Sequence, residues 1–146
     1  MADDSMVVEA PHEDRTFTVL RERAFAAMER AYAPYSGFRV GAALLASDGS
    51  ITEGCNVENA SFPAGLCAER AAVAAAVARG NRAFEAIVVA TEAGEPTPPC
   101  GICRQVLEEF APHAIVVSAT RAGRDARWTL DELLPHAFSP HSMDRR

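Results

Sequence analysis

Two short runs constrain this chain more than anything else in it: Cys67-Ala68-Glu69-Arg70, and later Pro99-Cys100-Gly101-Ile102-Cys103-Arg104-Gln105. Three thiols fill three corners of a zinc tetrahedron and leave the fourth to water, the ligand count of a catalytic site rather than a closed structural one. For Cys67 to meet Cys100 and Cys103, two segments remote in sequence must end at one point in space. The alanine-rich stretch after Cys67 and the stretch after Cys100 both read as helices, so two helix N-termini must converge at one end of a sheet. Cys103 then lies one turn on from Cys100, on the same face. The free N–H groups and positive end of each helix lower thiol pKa values and favour metal binding. Three thiolates leave zinc with a net negative charge, so something must draw charge from the sulfurs. The helix ends supply part of this, and Arg70 or Arg104 could donate hydrogen bonds for the rest.

Glu69 stands two residues past the first thiol, beside the metal without being a ligand. A carboxylate there can take a proton from water and deliver it to a substrate. The spacing C-x-E followed by P-C-x-x-C is that of zinc-dependent deaminases. Other uses of these residues stay open at this point. Cys55 could close a structural four-cysteine site, and Pro99-Cys100-Gly101-Ile102-Cys103 could be a redox pair at a helix start. The redox reading leaves Cys67 and Glu69 unexplained. Cys55 alone reads best as a small buried residue, and His12, His113, His136 and His141 show no ligand spacing.

With 146 residues, 49% hydrophobic and 23% charged, the chain reads as a single soluble domain. Its formal net charge is −6 and all 14 basic residues are arginines, scattered along the sequence. Nucleic-acid binding needs a basic stripe, so a polyanionic partner is disfavoured and a small uncharged substrate fits better. The acidic N-terminus has no apolar run of a signal peptide, and no stretch approaches membrane-spanning length. The expected location is the cytoplasm, where thiols stay reduced.

Along the chain, residues 1–13 read as a disordered tail and 139–146 as a C-terminal tail, with one domain over 14–138. Phe17, Leu20, Ala24, Met28 and Ala31 recur at helical spacing, ahead of Pro34. Strands are expected over 39–46 and 51–55, joined by a turn at Asp48-Gly49. An ordered loop follows over 56–66, then a helix over 67–79 closed by Gly80-Asn81. A buried strand over 84–91, a helix over 100–110, strands over 114–119 and 127–129, and a short helix opened by the capping box Thr129-x-x-Glu132 complete the order. This α-β-β-α-β-α-β-β-α order implies an α/β fold, a mixed sheet with helices on both faces.

The chain resembles the small cytidine deaminases in five places. These are Ala31-Tyr32-Ala33-Pro34-Tyr35-Ser36-Gly37-Phe38-Arg39-Val40-Gly41-Ala42-Ala43, Gly54-Cys55-Asn56-Val57-Glu58-Asn59-Ala60-Ser61, the two zinc runs, and Leu133-Leu134-Pro135-His136-Ala137-Phe138. The likeness covers about 16–138. It implies a three-layer α/β/α sandwich around a five-stranded mixed sheet, one Zn²⁺ per chain and a homotetramer acting on a nucleoside. By the same resemblance Cys67, Cys100 and Cys103 hold zinc, Glu69 moves the proton, and Arg70 tempers thiolate charge. Asn56 and Glu58 hold the ribose hydroxyls, Phe38 and Ala68 line the substrate site, and Phe138 reaches into a neighbouring subunit. Asn56 and Glu58 alternate just past a strand, so both can face one pocket. Many relatives carry a tyrosine where this chain has Phe62. The nearly all-alanine second helix would permit close helix–helix approach, although alanine is also simply the best helix former.

Overall fold

The computed structural model describes the backbone of residues 11–143 and the side chains of 15–143. Its elements are α1 (Pro11–Met28), β1 (Val40–Ala46), β2 (Ile51–Cys55), α2 (Ala68–Ala78), β3 (Phe84–Thr91), α3 (Gly101–Phe110), β4 (Ile115–Thr120), β5 (Ala126–Thr129) and α4 (Leu130–Leu133). They form one five-stranded sheet in the order β2-β1-β3-β4-β5. Every pairing is antiparallel except β3 with β4. A parallel pair needs a crossover, and α3 is that crossover.

The period-2 alternation of the strands divides the core between two faces. Ala42 and Leu44 of β1 and Ile87 and Val89 of β3 pack beneath α2, α3 and α4. Ala43, Ala86, Val88 and Ala90 pack on the other side against Leu20, Ala24 and Met28 of α1. Helices therefore cover both faces, as the order of elements implied. β3 is central and apolar towards both layers, which accounts for its unbroken hydrophobic run.

Element boundaries differ from the sequence expectation in ways that have local causes. α1 begins at Pro11, inside the segment read as a tail; proline tolerates the first helical position because the N–H it lacks has no partner there. Residues 1–10 of that expected tail lie outside the described residues. α1 also stops at Met28, earlier than its apolar spacing suggested, because the chain turns to pair Tyr32 with Val57. Cys67 and Cys100 are not the first helical residues but the extended N-caps of α2 and α3. The loop over 56–66 contains a 3₁₀ turn at Phe62–Ala64, and a second such turn, Pro140–Met143, lies in the expected C-terminal tail. The capping box at Thr129 and Glu132 is present in full. α2 closes in a Schellman arrangement, Gly80 N–H to Val77 O and Asn81 N–H to Ala76 O.

Gly54 decides how closely α2 lies on the sheet. A Cβ there would stand 2.4 Å from both Ala68 O and Ala72 N, which are backbone atoms and cannot swing aside. Gly41 plays the same part against Ala24 and Met28 of α1. Gly54→Ala is expected to push α2 off β2, costing about 1–3 kcal/mol or more as an overpacked contact. Denaturant unfolding checks this, and a midpoint equal to that of the parent chain would refute it.

Candidate active site and metal centre

Cys67 sits at the start of α2 and Cys100 at the start of α3, and the sheet between them brings the two helix N-termini to one end, beyond Thr91 of β3. The sulfurs of Cys67, Cys100 and Cys103 lie within 4.8 Å of one another. Cys67 Sγ and Cys100 Sγ are 3.8 Å apart. A Zn–S bond of about 2.3 Å gives a tetrahedral S···S edge of about 3.8 Å, so the donor set fits zinc in type and spacing. All four cysteines are free thiols. No other residue joins the metal group among the described side chains, so neither the closed four-cysteine site with Cys55 nor a histidine ligand is formed. The redox-pair reading also loses force, since Cys100 is grouped with Cys67 as well as with Cys103.

The charge around the sulfurs is managed by neighbours. Arg70 Nη2 is 3.4 Å from Cys67 Sγ and 3.4 Å from Gly65 O. Arg70 Nε is buried with no partner among the described residues. The Cys67 thiol is drawn down to about 5, first by the Cys103 thiol bonded to it and next by the Arg70 guanidinium, against the effect of burial. Cys103 is held well above the ordinary thiol range by ionised Cys67, by burial and by Glu69. Thiols this close cannot all ionise without a cation among them, so metal binding here releases protons.

Arg104 departs from expectation. It does not reach the sulfurs but donates from Nε to Pro99 O (2.7 Å) and from Nη1 to Leu133 O (2.7 Å). It braces the peptide that precedes Cys100 against the end of α4, and of the two arginines only Arg70 tempers thiolate charge directly.

Glu69 is 5% exposed, in the first turn of α2. Its Oε2 lies 3.6 Å from Cys103 Sγ. Burial pushes its carboxyl above the usual range, and the ionised Cys67 adds to this. A carboxyl raised in this way holds a proton more readily than an exposed one, the behaviour wanted of a group that carries protons.

These groups open into a cleft of about 260 Å³. Cys67, Ala68, Glu69 and Cys100 form its floor, and Phe38, Val40, Asn56, Glu58, Thr91 and Thr97 are among its walls. An adjoining hollow of about 400 Å³, edged by Tyr35, Asn59 and Phe62, shares Ser36 and Glu58 with it. Asn56 is buried; its Nδ2 donates to Phe38 O (2.8 Å) and its Oδ1 accepts from Val40 N–H (2.9 Å). Glu58 accepts from the backbone N–H groups of Tyr35 (2.9 Å) and Ser36 (3.0 Å) and from the Ser36 hydroxyl (2.5 Å). These bonds, that from the hydroxyl foremost, hold its carboxyl below the ordinary carboxylate range. Phe62 packs edge-on against Tyr35, ring centres 5.8 Å apart.

Of the sequence-predicted residues, Phe38, Asn56, Glu58, Cys67, Ala68, Glu69 and Cys100 line the cleft; Cys103 is buried beside Cys67 and Cys100, and Arg70 reaches the Cys67 sulfur. Phe138 is 60% exposed and is not among the residues that line this cleft; Gln105 Nε2 fastens its carbonyl at 2.7 Å. Sequence reasoning missed Ser36 and Thr97. The only available signal for Ser36 was its position two residues before Phe38, and for Thr97 there was none.

The family model described as the cytidine and deoxycytidylate deaminase zinc-binding region matches residues 15–119. A cytidine deaminase of Sporosarcina psychrophila is 47% identical over 118 residues, which cover 80% of this chain and 87% of that one. One from Halalkalibacterium halodurans is 45% identical over 127 residues, covering 86% and 96%. The crystal structure of cytidine deaminase from Burkholderia pseudomallei superposes with a TM-score of 0.80 at 48% identity, covering 83% of this chain and 98% of that one. Three sulfurs at zinc spacing, a buried glutamate beside them and this likeness over nearly the whole sheet lead to one assignment: the chain belongs to the cytidine deaminase family of zinc-dependent enzymes.

Proposed function

We propose that the chain catalyses the hydrolysis of cytidine and 2′-deoxycytidine to uridine and 2′-deoxyuridine, with release of ammonia. The observation that carries this reading is one cleft lined by Cys67 and Cys100 of the three-sulfur group, by the buried Glu69 and by the polar side chains of Asn56 and Glu58. Cys67, Cys100 and Cys103 would hold Zn²⁺, which supplies the Lewis acidity that makes water nucleophilic near neutral pH. Glu69 accepts one proton from water and places it on the pyrimidine ring nitrogen; it then takes the second proton from the newly added hydroxyl and delivers it to the departing amine. Burial suits it to both halves of that task. Ala68 is a small floor residue that lets the base approach, and Phe38 gives the nucleoside an apolar face.

Asn56 and Glu58 receive the sugar hydroxyls. Asn56 uses one hydrogen and one lone pair of its carboxamide to fix β1, which leaves the others for ligand. Among the residues lining the cleft there is no arginine, lysine or histidine, while Glu58 and Glu69 are both present. A phosphate would meet carboxylates without a counter-charge, which favours the nucleoside over its nucleotide or a polynucleotide. The reaction would serve pyrimidine salvage. Reduced thiols are required for metal binding, which supports a cytoplasmic location; among the described residues no helix is long and apolar enough to cross a membrane. Loss of cytosine absorbance with equimolar ammonia from cytidine tests the activity, and no reaction with zinc-replete protein would refute it.

The active form in this reading is a homotetramer, with Phe138 completing the site of a neighbour. Its support is Phe138, Phe62, Ile102 and Tyr32, large apolar or aromatic side chains exposed on a single chain. Light scattering is expected to give a mass near four chains, and truncation after Ala137 to lower activity with zinc retained. A fully active monomer would overturn both.

A further inference from the structure

The Ser36 hydroxyl occupies an unusual position. It donates to Glu58 Oε2 (2.5 Å), and the same oxygen accepts from Phe38 N–H (3.0 Å). Gly37, between them, has φ +67, a left-handed conformation that bends the chain so that Phe38 N–H can face back to Ser36. Asn56 holds the other side of Phe38 through its carbonyl. One oxygen atom thus ties the Glu58 carboxylate to the residue that walls the cleft beside it. Glu58 has two backbone donors as well, but among the described residues only the Ser36 side chain is bonded to both Glu58 and Phe38. The adjoining hollow is lined by Ser36 and Glu58 as well, so without the hydroxyl the carboxylate has room to swing away from the cleft.

We infer that Ser36 is a positioning residue for sugar recognition: its hydroxyl aims the Glu58 carboxylate into the cleft and sets its distance from Phe38. This rests on the reading of Glu58 as the group that receives the sugar hydroxyls. Among the described residues the Ser36 hydroxyl is hydrogen-bonded to Glu58 and Phe38 and to no metal ligand or Glu69, so its contribution lies in binding and not in the chemical step.

The test compares cytidine with 2′,3′-dideoxycytidine, which lacks the hydroxyls Glu58 would hold. Ser36→Ala is expected to raise KM for cytidine about tenfold, the scale of one hydrogen bond to a charged group, with kcat little changed. The dideoxy substrate should be nearly unaffected, and Ser36→Thr, which keeps a hydroxyl, should restore cytidine binding. In a Glu58→Ala background the Ser36→Ala change should add little, because it acts through Glu58. If Glu58→Ala removes the preference for cytidine but Ser36→Ala preserves it, the positioning role is wrong while the sugar-binding reading stands. If Glu58→Ala leaves the preference intact, the sugar-binding reading fails and the inference with it. Equal losses on both substrates would show Ser36 to be a support of the loop only and would overturn the proposal.

Discussion

Glu69→Gln is expected to leave zinc bound and to lower turnover by about three orders of magnitude or more, the scale of a lost acid–base group that acts more than once in the cycle. The substitution keeps the shape of a residue that is almost fully buried at the start of α2, so packing against Cys103 is preserved. What it removes is the capacity to take a proton and return it. Zinc content measured beside kcat separates this from collapse of the site. Near-normal turnover with full zinc would move the proton chemistry to another group, and among the residues lining the cleft Glu58 is the only other carboxylate.

The second large effect concerns the sulfurs. Alanine at Cys67, Cys100 or Cys103 is expected to lower zinc content and activity together, with activity falling by about three orders of magnitude or more because Lewis acidity and proton transfer fail jointly. Metal binding is also folding free energy, so these variants should melt earlier than the zinc-loaded parent. Cys55→Ala should keep one zinc per chain and most activity, since Cys55 lies outside the group of three. Elemental analysis of the four variants decides the matter. Zinc lost on changing Cys55 would mean that the fourth position is closed by a thiol, and hydrolysis would then need another explanation.

The grouping of the three cysteines with Glu69 beside them was legible in the sequence because metal chemistry permits few residue types and helix geometry few spacings. The strands were legible because each side of the sheet imposes its own alternation, and β3 because burial towards both layers removes alternation altogether. The capping box at Thr129 was legible because it is a purely local pattern. Arg104 was misplaced for the opposite reason. Arg70 and Arg104 each follow a cysteine and look alike in sequence, and only the backbone shows that one faces a sulfur while the other faces the carbonyls of Pro99 and Leu133.

The sequence alone thus determined the donor set for a metal, the place of Glu69 beside it, the order of elements and the family they resemble, since each follows from residue identity and short-range spacing. Only the tertiary structure decided what depends on chain segments meeting: that Gly54 lets α2 lie against β2, that Cys55 stays out of the metal group, and that Ser36 holds Glu58 and Phe38 from one oxygen. Distances between remote backbone segments are set by the packing of the whole sheet and its helices, and no local pattern of residues encodes them.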